Sequence, residues 1–334
     1  MPTRPLSQVI RPLLIALAAL AMAGATAVPV NASVMTPKSP NAAGALAAAG
    51  ALTAAGVLAA AHGAVAPSAP ARPNTSIAGP SGIKAKGGAL ANAATGKILW
   101  SLDLNTERPT GSIVKVMTAL VVIKAGDLDR TITVPKSVIA YLKKQDEPST
   151  AGLIPGDKLT AQELLEALLL PSGCDAAYTL AQAYGPGLNA FIAKMNAEAK
   201  HLGLTGTYFS NFDGLPWPSE YSTWSTPANL LTLGRYAMRY TDFRAIVGQS
   251  AYWLPAGDGH HAYQWQNTNP LIGTYAGATG IKTGDTKAAE NCLLFEAERS
   301  GLTLIGVTLG TPGDDIADTG PVATKVLNWG FVHF

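Results

Sequence analysis

The apolar and polar positions from residue 85 onward predict strands at both ends of this region and helices in the middle. The strand-like runs are 88–92, 97–102, 131–134, 280–283, 291–298 and 303–309, and the runs with helical spacing are 112–126, 164–170, 175–184, 188–202, 227–239 and 319–329. Because this order lacks the regular β-α-β alternation of a doubly wound sheet, we expect an α+β fold of the broad α/β class. The expected architecture is an antiparallel sheet built from both ends of the domain and flanked by helices, with an inserted all-helical lobe. A cleft between the lobes is the natural place for a functional site.

Local signals mark the ends of several predicted helices. Thr160 and Glu163 have the spacing of a capping box ahead of an apolar run. Thr226 is a suitable N-cap because the next residue, Pro227, is favoured at the first helical position. Gly126 follows the first helix and can adopt the left-handed conformation that ends many helices. These residues therefore support the helical interpretation independently of the apolar spacing.

The first 66 residues have the composition of an export signal. Arg4 and Arg11 precede an apolar run at 13–28, and a second run, rich in Ala and Gly, covers 42–66. We interpret Met35 as the true start of the signal peptide. The alternative is a first signal followed by an Ala-rich spacer or an uncleaved anchor. Both interpretations place the rest of the chain outside the cytoplasm, either secreted or at the outer face of the cytoplasmic membrane in the cell wall.

Composition divides the rest of the chain and excludes several functions. Residues 67–84 are rich in Pro, Ala and Ser and are predicted to be a linker, which leaves 85–334 as the folded domain. The net charge is only +2, so we expect no nucleic-acid partner. None of the five histidines has metal-ligand spacing with a partner, so no metal or cofactor is expected. We expect a monomer with peripheral or no membrane association, in which Cys174 and Cys292 are free thiols.

Three short motifs carry the candidate chemistry. They are Ser112-x-x-Lys115, Ser172-Gly173-Cys174 and Lys282-Thr283-Gly284. Each is weak evidence by itself, since Ser81-x-x-Lys84 also matches the first pattern. A serine hydroxyl needs a nearby base to act as a nucleophile, and a spacing of three on a helix places both side chains on one face. Because the helix after Ser112 is apolar on all sides, we expect Lys115 to be buried, largely neutral and able to act as general base.

The other two motifs supply the remaining parts of an acyl-transfer site. Ser172 lies between two predicted helices, where its hydroxyl could carry a proton between the base and a leaving amine. Lys282 and Thr283 end a strand-like run and are suited to binding a substrate carboxylate by charge and by hydrogen bond. Gly284 permits close approach of the backbone. The backbone N–H groups of Asp285 and Ser112 are candidate donors to an oxyanion.

With all three motifs in this order, the chain resembles the low-molecular-mass penicillin-binding proteins. These are the serine D-Ala-D-Ala carboxypeptidases and transpeptidases of cell-wall synthesis, peptidase family S11. The similarity covers roughly residues 85–334 and extends to runs outside the motifs, at 94–97, 111–119, 170–173, 175–177, 212–214, 225–227 and 280–284. The resemblance implies the fold shared by β-lactamases and penicillin-binding transpeptidases. It also implies peptidoglycan stem peptides and β-lactam antibiotics as binding partners.

The same resemblance implies a role for each motif residue. Ser112 is the expected nucleophile, Lys115 the base and Ser172 the proton relay. Lys282 and Thr283 are expected to recognise the substrate carboxylate. The expected mode is attack on the penultimate D-Ala carbonyl, release of D-Ala, and resolution of the acyl-enzyme by water or an amine. Carboxypeptidase and transpeptidase activity use the same residues, so the sequence does not separate them.

Two residues depart from the family pattern. Cys174 stands where the family usually has Asn, although a secreted DD-transpeptidase of the family carries the same Cys. A thiol is a weaker donor than an amide, so we expect slower hydrolysis of the acyl-enzyme and preferential transfer to an amine. Asp285 places a carboxylate beside a carboxylate-binding site. We expect its side chain to point away and only its N–H to act in the site.

Two alternatives use the same fold or the same site. A β-lactamase requires an efficient deacylating base, and Glu220 is the only acid near a plausible position. A non-catalytic penicillin-binding or wall-binding module would form the acyl-enzyme and stall because of Cys174. Release of D-Ala from a model peptide distinguishes an enzyme from such a module.

Overall fold

An antiparallel five-stranded sheet brings the two ends of the domain together. The computed structural model describes residues 77–334. The signal region 1–66, including Met35, and the predicted linker up to residue 76 lie outside the described residues. In chain order the elements are β1 Gly87–Asn92, β2 Ile98–Leu102, α1 Lys115–Ala125, β3 Thr131–Thr133, α2 Ser137–Leu142, β4 Lys158–Thr160, α3 Ala161–Leu169, α4 Cys174–Tyr184, α5 Leu188–His201, α6 Pro227–Ala237, α7 Thr241–Val247, β5 Ala251–Leu254, β6 Tyr263–Gln266, β7 Ala278–Thr286, β8 Glu290–Arg299, β9 Leu302–Thr311 and α8 Thr319–His333.

The strand order in the sheet is β2-β1-β9-β8-β7, with every neighbour antiparallel. The first strand pairs with the last, for example Ala89 opposite Val307, so the sheet closes only when both ends of the domain are present. The helices α2 to α5 lie between these strands in the sequence. The predicted fold class, with a sheet from both ends and an inserted helical lobe, is therefore confirmed. The strand β7 is at one edge of the sheet, which leaves one side of its backbone free to face a cleft.

The helix α1 lies in the core between the sheet and the helical lobe. Its residues from Lys115 to Ile123 are all buried, as the apolar residues around its whole circumference predict. Gly126, at φ 76°, ends the helix as expected. One correction applies at the start of the helix. The segment Gly111–Val114 is a 3₁₀ turn, and the α-helix begins at Lys115 rather than at Ser112.

Two apolar clusters hold the sheet on its two faces. One face packs on α1 and α6 through residues such as Leu294 and Ile305, and the other packs on α8 through residues such as Phe295 and Leu304. The residues 77–84, part of the predicted linker, also contact the α8 side. Trp329 Nε1 donates to the carbonyl of Ala78 at 2.8 Å. No helix among residues 77–334 is both long enough and apolar enough to cross a membrane.

Several short elements were not predicted. They are α2, α7, β4 and the hairpin of β5 and β6, each only three to seven residues long. Apolar periodicity is weak over such lengths, and on α2 only Val138 is buried. The hairpin is fixed by long-range contacts: Trp265 is 2% exposed, and its Nε1 donates to the carbonyl of Ala151 at 2.8 Å. Such contacts leave no local pattern in the sequence.

The capping box of α3 is formed as predicted and can be tested. The hydroxyl of Thr160 accepts from the Glu163 N–H, and the Glu163 carboxylate accepts from the Thr160 N–H. Thr160→Ala should lower the free energy of unfolding by about 1 kcal/mol, measured by urea denaturation, because one helix N–H loses its acceptor. The matched control is Thr205→Ala in an exposed loop, for which we expect a change within about 0.5 kcal/mol. Equal effects of the two substitutions would contradict a specific contribution of the cap.

Candidate active site

The side chains of Ser112 and Lys115 meet as the spacing of three predicts. Ser112 lies in the 3₁₀ turn, and Lys115 is the first residue of α1. Lys115 Nζ lies 2.7 Å from Ser112 Oγ, and the lysine is 0% exposed. The same nitrogen donates to the carbonyl of Asp213 at 2.8 Å and contacts Cys174 Sγ at 3.4 Å. The amine is therefore buried, as expected, and is held by groups from three different segments of the chain.

Three glycines allow three backbone segments to converge on Ser112. A Cβ on Gly284 would lie 2.8 Å from the Ser112 nitrogen, and a Cβ on Gly111 would lie 2.5 Å from the nitrogen of Asp285. Gly214, at φ 86°, approaches the carbonyl of Gly111 too closely for any side chain. A side chain at any of these positions would collide with backbone atoms. Because glycine has no Cβ, strand β7 can lie directly against the turn that carries Ser112. The N–H groups of Ser112 and Asp285 thus lie in adjoining backbone segments.

The second motif lies between α3 and α4, and the sulfur of its last residue, Cys174, contacts Lys115 Nζ. Ser172 has φ 66°, an uncommon conformation for a residue with a side chain, and is 6% exposed. Its Oγ is buried and makes no hydrogen bond within the described residues. The carbonyl of Ser172 accepts from Ser149 Oγ at 2.7 Å. A buried hydroxyl without a partner is unfavourable unless a ligand or water supplies one, so Ser172 is available to a substrate.

Cys174 lies at the start of α4 and is completely buried. Burial raises the pKa of its thiol to about 11, and the neighbouring Lys115 charge offsets only part of this effect. The thiol is therefore protonated at neutral pH. Ser149 Oγ lies 3.7 Å from the sulfur. Cys292 is also a buried free thiol, so both cysteines have the state predicted from the sequence.

Lys282 and Thr283 lie together on β7. Lys282 is 1% exposed, and its Nζ lies 3.2 Å from Thr283 Oγ1. Burial, followed by the charge of Lys115, lowers the pKa of Lys282 to about 7. Thr283 Oγ1 also forms a 2.6 Å hydrogen bond with Thr268 Oγ1. Two donors suited to a carboxylate therefore lie side by side, and the charge of one of them is half lost near neutral pH.

The Asp285 side chain is exposed and opens on a surface cavity of about 250 Å³. The cavity is also lined by Asp146, Glu147 and Glu220. The carboxylate is nevertheless close enough to raise the pKa of Lys282, opposing the effect of burial. Glu220 Oε2 accepts from the N–H of Ala288 at 3.2 Å. Asp285 thus directs its backbone toward the Ser112 turn and its side chain toward solvent.

Sequence reasoning missed the acid next to the lysine. Asp213 is 0% exposed, and its carboxylate accepts from the hydroxyl of Tyr141 and from the N–H of Leu215. The run Phe212-Asp213-Gly214 belongs to the family resemblance, which assigns no role to its acid. Tyr141 lies in α2, which was not predicted at all. An acidic residue in an otherwise apolar and glycine-containing run was the one local signal available.

Comparison with known proteins gives one consistent family. A family model described as D-alanyl-D-alanine carboxypeptidase, peptidase S11, matches residues 74–313. The D-alanyl-D-alanine carboxypeptidase of Streptomyces sp. (strain K15) is 41% identical over 273 residues, which are 78% of this chain and 91% of that protein. A D-alanyl-D-alanine carboxypeptidase of Mycobacterium tuberculosis is 34% identical, over 72% of this chain and 80% of the relative. The crystal structure of the Streptomyces DD-transpeptidase is similar with a TM-score of 0.71 at 39% identity, covering 77% of this chain and 100% of that one.

The contact between Gly284 and the Ser112 turn can be tested directly. Gly284→Ala places a methyl group against backbone atoms that have no flexible end to move, so β7 and the turn must separate. We expect the rate of acylation by benzylpenicillin to fall by roughly a hundredfold, the order of loss seen when one oxyanion donor is removed. The control is Gly257→Ala, where the added methyl meets open space. An unchanged rate in Gly284→Ala would contradict a requirement for this close approach.

The lowered pKa of Lys282 predicts a pH dependence of ligand binding. Its amine is charged below about pH 7 and neutral above it, so binding of a carboxylate ligand should weaken as the pH rises through 7. In a Ser112→Ala background, where no acylation follows, we expect affinity for a D-Ala-D-Ala peptide to fall by roughly tenfold per unit above that pH. Lys282→Arg, which stays charged, should flatten this dependence. Constant affinity between pH 6 and 9 in the Ser112→Ala protein that retains Lys282 would exclude the lysine amine as the partner of the carboxylate.

Proposed function

The chain belongs to the D-alanyl-D-alanine carboxypeptidase family of serine peptidases, and we propose that Ser112 is the nucleophile with which it cleaves stem peptides ending in D-Ala-D-Ala. It is a serine-type D-Ala-D-Ala carboxypeptidase/transpeptidase of the penicillin-binding class. The family acts on peptidoglycan peptides and binds β-lactam antibiotics. The observation that carries the assignment of Ser112 is the buried Lys115 amine at 2.7 Å from its hydroxyl. Lys282 lies near enough for the charge of Lys115 to lower its pKa.

In the proposed acylation step, the bond forms between Ser112 Oγ and the carbonyl carbon of the penultimate D-Ala. The hydroxyl proton moves to Lys115 Nζ as this bond forms. The N–H groups of Ser112 and Asp285 donate to the developing oxyanion. Ser172 then carries a proton toward the leaving amine as the C–N bond breaks and D-Ala departs. The unpartnered, buried hydroxyl of Ser172 supports this role.

In our proposal, residues of β7 orient the substrate. Lys282 and Thr283 hold the terminal carboxylate of the peptide, one by charge and one by its hydroxyl. Gly284 allows the substrate and the Ser112 turn to lie close to the strand, and the Asp285 N–H follows immediately. The positions of the carboxylate and of the oxyanion are thus set by neighbouring residues of one strand. This arrangement favours peptides with a free C-terminal carboxylate.

The fate of the acyl-enzyme depends on Cys174 in our proposal. An Asn side chain at this position would offer both a donor and an acceptor to a substrate carbonyl, whereas a protonated thiol is a weak donor. The acyl group is therefore held less firmly for attack by water, and transfer to an amine is favoured. The raised pKa of the thiol supports this reading, because it leaves no thiolate to act as a base or a competing nucleophile.

The cellular location follows from the family and from the N-terminal sequence. The family works at the cell wall, outside the cytoplasm. We assign residues 1–66 to export, 67–84 to a linker and 85–334 to the peptidase domain. We further propose a monomer that is secreted or peripheral at the outer face of the membrane. The basic residues Arg4 and Arg11 and the apolar runs at 13–28 and 42–66 support export.

The intact mass of the protein after incubation with benzylpenicillin tests the proposal. We expect a long-lived adduct of one penicillin, absent in Ser112→Ala, together with release of D-Ala from a model peptide that is also lost in that variant. Ser81→Ala is the matched control, because Ser81 and Lys84 have the same spacing but Ser81 is exposed. It should keep both properties.

Other outcomes identify the alternatives. A short-lived adduct with consumption of penicillin would mean a β-lactamase. A stable adduct without D-Ala release would mean a non-catalytic binding module. No adduct, or an adduct that survives Ser112→Ala, would refute Ser112 as the nucleophile.

A further inference from the structure

One buried acid in the cleft has no role in the chemistry described so far. Asp213 lies in the segment between α5 and α6, is 0% exposed, and supplies the carbonyl that binds Lys115 Nζ at 2.8 Å. Its carboxylate accepts hydrogen bonds from the Tyr141 hydroxyl and from the N–H of Leu215 at 3.2 Å. A buried carboxylate is costly unless it is paired, so its presence beside a buried lysine requires an explanation.

The surroundings of Asp213 couple it to Lys115. Burial raises the pKa of the Asp213 carboxyl, and the Lys115 charge is the largest effect that opposes it, followed by the Tyr141 hydroxyl. The groups that face Asp213 are Lys115 from α1, Tyr141 from α2 and Cys174 from α4. The charge of Lys115 also lowers the pKa of Lys282 on β7, and Lys282 is not among the groups that act on Asp213. The charges of Asp213 and of Lys115, the proposed base, therefore interact.

The Tyr141 contact holds the carboxylate in place. Tyr141 is stacked on Tyr178, with ring centroids 4.8 Å apart, and packs against Phe212 at 5.6 Å. Its hydroxyl is therefore fixed by packing from both sides. On the other side of the segment, Thr118 Oγ1 donates to the carbonyl of Phe212 at 2.6 Å. These contacts hold the segment whose Asp213 carbonyl accepts from Lys115 Nζ.

We propose that Asp213, held by Tyr141, is a positioning residue that stabilises the Lys115 ammonium formed during acylation. When Ser112 Oγ bonds to the substrate carbonyl carbon, its proton moves to Lys115 Nζ. The new positive charge lies against the backbone carbonyl of Asp213, and the carboxylate of the same buried residue acts on it through space. The carboxylate does not take the proton, which later leaves with the amine product. The acid of a serine–histidine–aspartate triad hydrogen-bonds its histidine directly, whereas the Asp213 carboxylate acts on Lys115 only through its charge. This inference rests on the proposed function, since it assumes that Lys115 is the base for Ser112.

The acylation rate of the full-length protein by benzylpenicillin, measured as a function of pH, tests the proposal. In Asp213→Asn the geometry is kept but the charge is lost, so a proton on the nearby lysines is less stabilised. We expect the maximal acylation rate to fall by roughly ten- to a hundredfold. We also expect the profile to move toward lower pH by about one unit, because an anion that favours the protonated amine has been removed.

Two further variants separate charge from structure. Thr118→Val removes the other hydrogen bond that holds the same segment and leaves the carboxylate intact, so it should lower the rate without moving the profile. Tyr141→Phe removes the hydroxyl that lowers the pKa of Asp213, so the carboxylate is charged less of the time. It should move the profile in the same direction as Asp213→Asn, but by less. If Asp213→Asn does not fold, the comparison of Tyr141→Phe with Thr118→Val decides the question.

The outcomes distinguish this inference from the proposed function. A shifted profile in Asp213→Asn or Tyr141→Phe, with none in Thr118→Val, supports Asp213 as the positioning residue. A lower rate with the same pH profile in all three variants means a structural role only, and overturns the inference. An unchanged rate in Asp213→Asn also overturns it. Failure of the wild-type protein to be acylated at Ser112 would instead refute the proposed function.

Discussion

The contact set of the buried Lys115 amine is the constraint on which the rest of the site depends. An ammonium has three donors, and Nζ has three neighbours: Ser112 Oγ, the Asp213 carbonyl and Cys174 Sγ. A neutral amine has two donors and one lone pair. It can use the same three neighbours if the Ser112 hydroxyl becomes the donor. Both protonation states are therefore satisfied without movement of any heavy atom, which is the requirement for a base that takes a proton in a closed, apolar place.

This requirement determines what the surrounding elements must do. The three neighbours of Nζ come from the turn before α1, from the segment after α5 and from the start of α4. All three segments must therefore be held in fixed positions relative to one another. Glycines at 111, 214 and 284 permit the close approach of the backbones, and the carboxylate of Asp175 accepts from the N–H groups of Ala151 and Leu153, next to Ser149. The five-stranded sheet then fixes β7 against the same turn. These glycines, the Asp175 carboxylate and the sheet therefore all support the position of one amine.

The sequence predicted the parts of this arrangement that have a local cause. Helical spacing placed Ser112 and Lys115 on one face, and the apolar circumference of α1 predicted that the lysine is buried. The sequence did not predict the hydrogen bond between Tyr141 and the Asp213 carboxylate, because the two residues are far apart in the chain and α2 is too short for a periodic pattern. The convergence of Gly111 with Gly284 was missed for a related reason. Either glycine alone indicates a turn or a strand end, and the need for both appears only when their segments meet.

The thiol of Cys174 is consistent with this view of the amine. It is the third neighbour of Lys115 Nζ, and sulfur is a weak acceptor, so it stabilises an ammonium less than an amide oxygen would. A thiolate would have the opposite effect, since a second anion beside Asp213 would hold the proton on the lysine. Burial prevents this by raising the pKa of the thiol to about 11. Cys174, the residue that departs from the family pattern, thus adds no second negative charge beside Lys115. In our proposal, the missing amide instead changes how the acylated substrate is held. We therefore expect Cys174 to affect the resolution of the acyl-enzyme more than its formation, and resolution is the step at which hydrolysis and transfer diverge.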